Sequence, residues 1–209
     1  MAVMTTTEAR ADIDLAFLRE GTDARCAAGD RYFAAVAQEL ASCAASMADR
    51  VFAGAPLLVF GSGAGTTDAQ HNSVEYVHPV LPGCRALPAL SLTNDVSTVT
   101  GILQGTDPRE VYAHQLRVLG RRGDIALGFA APADDGATAR GLRAAREREM
   151  LTILLSAGAA VGDADVSHSF HVPEDDPLMA QELHLATYHM LWELTHIVLN
   201  HRGIAEVRE

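Results

Sequence analysis

Residues 57–79, LLVFGSGAGTTDAQHNSVEYVHP, constrain what this chain can fold into more than any other stretch. Leu57 to Phe60 is a short apolar run of the kind shown by a strand buried on both faces. A turn through Gly61, Gly63 and Gly65 follows, and residues 69–77 then carry no helix breaker. Asp68 stands near the predicted helix start, where a carboxylate offsets orphan N–H groups and the positive dipole end. A strand, a glycine turn and a helix start make an anion cradle at the carboxyl edge of an open sheet, the usual ligand position in α/β folds. Ser62, Gly63, Gly65 and Thr66 are its candidate substrate contacts. The turn does not meet the dinucleotide pattern GxGxxG, because Thr66 replaces the third glycine. His71 and Glu75, four residues apart, share a helical face and bring metal-ligand or acid–base capacity. Such a pair is also what a solvated helix face presents, so it needs a partner elsewhere in the chain.

The rest of the chain alternates strand and helix at the length of βαβ crossovers. Strands are predicted over residues 86–92, 125–129, 150–155 and 167–172, and helices over 96–103, 108–119 and 137–149. The fold class is therefore α/β, with three layers: a mainly parallel five-stranded sheet flanked by helices and preceded by N-terminal helices. Residues 1–7 read as a disordered tail and 8–209 as one domain. Two helices are expected before the sheet. The first gathers Ile13, Leu15, Ala16 and Phe17 into an apolar patch and ends at Gly21. The second, over residues 30–52, places Tyr32 or Phe33, Val36, Leu40, Cys43, Met47 and Val51 in a buried stripe. Asp95 closes the second strand and is either a site residue or the cap of a helix starting at Val96. A long final helix, from Asp176 or Pro177 to Asn200, carries Gln181, His184, His189 and His196.

Charge and composition exclude several functions. A formal charge of −11 argues against a nucleic-acid or anionic-membrane surface. All 16 basic residues are arginine, so Schiff-base and P-loop lysine chemistry are ruled out. Cys26, Cys43 and Cys84 are odd in number without CxxC spacing, which fits buried free thiols in a reducing compartment. No apolar run reaches the roughly 18 residues of a membrane span and no signal pattern opens the chain, so a cytoplasmic location is expected.

The glycine turn followed by Asp68-Ala69-Gln70-His71 with Glu75, the segment Thr93-Asn94-Asp95-Val96-Ser97, and Gln181-Glu182-Leu183-His184 with His189 occur in order at suitable distances. Together they resemble the sugar isomerase (SIS) domain family, and within it the phosphoheptose isomerases, which act on sedoheptulose 7-phosphate. The similarity runs from about residue 30 to 200. It implies a metal site of His71, Glu75, Gln181 and His189, with Glu75 and His189 as the catalytic acid–base pair. Two imidazoles, a carboxylate and an amide oxygen suit a divalent metal, zinc above all, though nickel, iron or cobalt would also accept them. Gln181 and His189 are about 12 Å apart along a continuous helix. Either Gln181 precedes the regular helix or neighbouring subunits complete the site, in keeping with the tetramers typical of the family. A homotetramer or dimer is expected for a second reason, the extent of the apolar helix faces.

The chain departs from the family pattern where phosphate is held. The turn usually reads GNGGS, and Gly65 stands in the serine position. The second phosphate loop usually reads STSGNS, and residues 130–135 offer Ala130, Ala131, Pro132, Ala133, Asp134 and Asp135 instead. Hydroxyls are replaced by two carboxylates, and Pro132 removes a backbone donor. The expected ligand is a sugar-like molecule other than a standard sugar phosphate, contacted by the turn residues with Asp95, Asp134, Asp135 and His184. A metal-dependent isomerase is one reading; a catalytically silent ligand- or partner-binding module, or a half-site subunit of a mixed oligomer, are the alternatives.

Overall fold

The computed structural model describes residues 15–105, 107–130, 136–158 and 165–203. Strands β1 (Leu57–Gly61), β2 (Ala89–Ser91), β3 (Ile125–Ala130), β4 (Leu151–Ala157) and β5 (His168–Val172) form one sheet in the order β2-β1-β3-β4-β5. Every neighbouring pair is parallel, as the βαβ spacing predicts. β1, β3 and β4 are buried along their whole length, which is why they read as continuous apolar runs rather than alternating ones.

Successive residues of β1 face different layers. Leu57 and Val59 pack with Met47 of helix α1 (Leu15–Phe52), Ala69 and Tyr76 of α2 (Ala64–Val77) and Tyr188 and Leu191 of α6 (Pro177–His201). Leu58 and Phe60 pack with Ile102 of α3 (Val96–Gly105), Tyr112 and Leu116 of α4 (Val111–Leu119) and Leu142 of α5 (Ala137–Glu147). From β1 the chain turns to β2 on one side and returns to β3 on the other. The strand order thus reverses where Gly61 pairs with Phe129. That crevice is the ligand position of open α/β sheets.

The N-terminal expectation is corrected. α1 is one helix of 38 residues running through Gly21 and Gly29, not two. Its sequence is alanine-rich and free of proline, so two glycines at about 1 kcal/mol each do not break it. Gly29 faces Leu183 of α6, and an added Cβ would lie 4.0 Å from that side chain, an ordinary van der Waals distance. Leu15 and Phe17 are exposed at 65% and 72% instead of forming an apolar patch; Ile13 and the tail over residues 1–7 lie outside the described residues. The stripe from Tyr32 to Val51 does face the core. All three cysteines are free, but Cys26 is exposed rather than buried. No described helix is long and apolar enough to cross a membrane.

Candidate metal and active site

α2 and α6 lie side by side and run in the same direction. Gln181 meets Thr67, Tyr188 meets His71, and Trp192 donates from its indole nitrogen to the Glu75 carbonyl. This register carries His189 to the face of α2 that presents His71 and Glu75. One ligand atom from each of His71, Glu75 and His189 lies within 4.8 Å of the others. His71 Nε2 is 3.1 Å from Glu75 Oε1, and the two imidazoles stand edge to face with centroids 5.2 Å apart. His189 Nε2 is buried without a hydrogen-bond partner among the described residues. Burial of a polar atom unpaired costs free energy, so this nitrogen is one for which a further ligand is wanted. The donor set and the unpaired nitrogen both fit a divalent cation of the borderline class. Burial also lowers the pKa of His189, with His71 adding to the effect, so its ring is neutral at neutral pH, as a ligand or a base requires.

Gln181 meets α2 one turn before His71, at Thr67. It lies within α6, which removes the possibility that it precedes the regular helix. Its amide nitrogen is 3.4 Å from Thr67 Oγ1, and it lies beside the Asp68 carboxyl. Asp68 is therefore not exposed at the helix start: α2 begins at Ala64, and Asp68 is buried one turn in. Burial pushes its carboxyl up to about 6, against the opposing effects of Gln181 and His71.

The glycine turn is present but largely closed on itself. Gly65 N–H donates to the Ser62 carbonyl at 3.0 Å and Thr66 N–H to the Gly63 carbonyl at 3.1 Å. The Thr66 hydroxyl donates to the Gly61 carbonyl. Gly63 has φ 58°, which glycine adopts without strain. Gly65 is required for a different reason, since an added Cβ would lie 2.9 Å from that of Phe129. Two of the amides that an anion would use, those of Gly65 and Thr66, are thus engaged within the turn.

Asp95 takes the capping role. Its carboxylate accepts from Thr98 N–H at 3.1 Å and from the Thr98 hydroxyl at 2.7 Å, and these bonds lower its pKa. It also borders a cavity of about 530 Å³ with Leu90, Leu92 and Val118. His184 is corrected from a substrate contact to a core residue: it is 5% exposed, and its Nε2–H donates to the Ser156 carbonyl, joining α6 to β4. Burial lowers its pKa. Asp134 and Asp135 lie outside the described residues.

Tyr188 escaped the sequence reading, which gives Asp68 only a place at the helix start, not one in the site. Tyr188 places its hydroxyl 2.7 Å from His71 Nδ1, and Asp68 sits buried beside Gln181. The only sequence signal for Tyr188 is its position next to His189, and none predicts which helix it meets.

Solved phosphoheptose isomerases from Francisella tularensis and Neisseria gonorrhoeae share this fold, with TM-scores of 0.81 and 0.75. Each is 24% identical, and they cover 88% and 87% of this chain and 98% and 97% of their own. The parallel sheet, its flanking helices and the turn at the strand-order reversal define an α/β protein of the sugar isomerase (SIS) type. No protein-family model matches the chain. A phosphoheptose isomerase of Desulfovibrio desulfuricans is 33% identical over 185 residues, 88% of this chain and 86% of that protein. The chain belongs to the phosphoheptose isomerase family.

Proposed function

We propose that this protein is a metal-dependent sugar isomerase of aldose–ketose type whose substrate is a sugar-like molecule other than a standard sugar phosphate. The observation that carries the reading is the convergence of His71, Glu75 and His189 around a buried, unpartnered imidazole nitrogen. A silent module gains nothing from leaving that nitrogen unpaired.

His71, Glu75 and His189 would hold the ion, with zinc favoured by the donor set. Bound there, a divalent cation would supply Lewis acidity to a substrate carbonyl or hydroxyl. The chain's own contribution is proton transfer. Of Glu75 and His189, one takes the proton from the hydroxyl-bearing carbon beside the carbonyl and the other delivers one to the carbonyl carbon, while the hydroxyl gives up its proton and the old carbonyl oxygen gains one, so that both groups return to their starting forms. Neutral His189 carries one lone pair, which serves the ion or a proton but not both together. Gln181 would become a fourth ligand by leaving Thr67 and Asp68, or a second copy of the chain would provide it in a homotetramer or dimer. A cytoplasmic setting belongs to the same reading and agrees with three free thiols.

The relatives are named for a phosphorylated heptose, and here the support for a different substrate is local. Gly65 has no room for a side chain, and the Gly65 and Thr66 amides are already paired. The same closed turn favours a second reading, a silent SIS module that holds a ligand without turnover; a half-site subunit of a mixed oligomer is its variant. Metal analysis of the purified protein, followed by assay of the metal-loaded enzyme on unphosphorylated and phosphorylated ketoses, separates them. Isomerisation of a neutral sugar is the expected result. Bound metal without turnover of any ketose would favour the silent module.

A further inference from the structure

We propose that Tyr188 is a positioning residue that sets the ring orientation and tautomer of His71, and thereby the affinity of the site for a divalent cation; this rests on the metal reading above. Tyr188 is 1% exposed, and its ring is fixed on several sides. Phe129 of β3 meets it edge to face at 5.7 Å, His189 at 4.9 Å and His71 at 5.6 Å. Packing alone would be served equally by phenylalanine, which buries no hydroxyl. The hydroxyl instead lies 2.7 Å from His71 Nδ1.

The hydrogen-bond directions follow from what each group is able to do. An ionised carboxylate only accepts, so the 3.1 Å contact between Glu75 and His71 Nε2 puts the ring proton on Nε2. With a single ring proton, on Nε2, Nδ1 is an acceptor, and the Tyr188 O–H donates to it. A cation held at Nε2 needs that nitrogen's lone pair, so the proton must sit on Nδ1 instead, and the same tyrosine oxygen must accept. A phenol oxygen serves in both directions from one position, its own hydrogen turning away from Nδ1 when it accepts. A carboxylate in its place would serve only the loaded form, and phenylalanine neither. Tyr188 therefore keeps His71 aimed at the site both before and after an ion is bound.

The test uses the full chain with histidine labelled in the ring nitrogens. Long-range proton–nitrogen spectra should show His71 with its proton on Nε2 in the metal-free parent and on Nδ1 after zinc is added. Zinc affinity is then measured by competition with a chromophoric chelator for the parent, Tyr188→Phe and His71→Ala. Tyr188→Phe keeps the ring and should bind zinc about 10–100-fold more weakly, with His71→Ala weaker still. A Tyr188→Phe affinity within about threefold of the parent overturns the proposal, since support of a ligand imidazole is worth more than that. So does a metal-free parent with the His71 proton on Nδ1, a measurement that stands even if the variant fails to fold. A parent that takes up no zinc overturns the metal reading itself, and this inference with it.

Discussion

A Cβ on residue 65 would lie 2.9 Å from the Cβ of Phe129 and 3.1 Å from its carbonyl oxygen, so Gly65 and Phe129 are packed in mutual dependence. The first of these distances is shorter than real Cβ contacts allow, and backbone at the second cannot step aside cheaply. Restoring the family's serine by Gly65→Ser should destabilise the fold by about 1–3 kcal/mol, the cost of overpacking. The unfolding midpoint should drop by several degrees, with no gain in phosphate affinity by calorimetry. An unchanged midpoint would show that Phe129 yields easily.

The metal site is expected to lose zinc by orders of magnitude when either imidazole is removed, because the remaining donors no longer enclose the ion. His71→Ala and His189→Ala are the variants to compare, each dialysed against a chelator gradient and analysed for bound metal. If both retain zinc as tightly as the parent, the site lies elsewhere.

Asp68 makes a pH prediction with a definite sign. Its folded pKa of about 6 lies above the ordinary 3.8, so the fold binds this proton more tightly than the unfolded chain does. The stability the proton brings is complete below 3.8 and gone above about 6. In metal-free protein the parent should therefore lose stability relative to Asp68→Asn as pH rises from 4 to 7, by at most about 3 kcal/mol at roughly 1.36 kcal/mol per unit. Denaturant melts of the two proteins across that range would check it. Parallel curves would mean that the carboxyl is solvated.

Large apolar side chains lie exposed on the two long helices: Phe17 and Leu18 on α1, and Leu178, Met190 and Ile197 on α6. A homotetramer or dimer should cover part of this surface. Light scattering at micromolar concentration should give a mass of two or four chains; a monomer would refute it.

Turnover of sedoheptulose 7-phosphate should be slow. A charge-assisted hydrogen bond to phosphate is worth roughly 1.5–3 kcal/mol, so about three missing hydroxyls forfeit on the order of 4–9 kcal/mol. That is roughly a thousandfold to a millionfold in affinity. A coupled assay beside an authentic phosphoheptose isomerase measures it, and activity within about tenfold of that enzyme would show that other donors have replaced the serines.

Much of this architecture was legible in the chain because its signals are local. The apolar runs at Leu57–Gly61 and Ile125–Ala130 carry their burial on both faces in their own composition. His71 and Glu75 share a face by helical period alone. The break expected at Gly21 was not there, because glycine weakens a helix by far less than proline does and the neighbouring alanines carry it through. The two roles weighed for Asp95 differ only in where Thr98 and the ligand lie, and Thr98 holds the carboxylate.

By itself the sequence determined the parallel α/β order, the glycine turn and the residue types able to bind an ion, since each depends on neighbours within a few positions. The tertiary structure alone decided the register of α2 against α6. That register brings His189 to His71 and Glu75, turns Gln181 to Thr67 and Asp68, sends His184 into the core and seats Tyr188 on His71. The physical reason is that two helices more than a hundred residues apart in the chain are aligned by how their side chains pack over the sheet, and periodicity says which face is apolar but not what it meets.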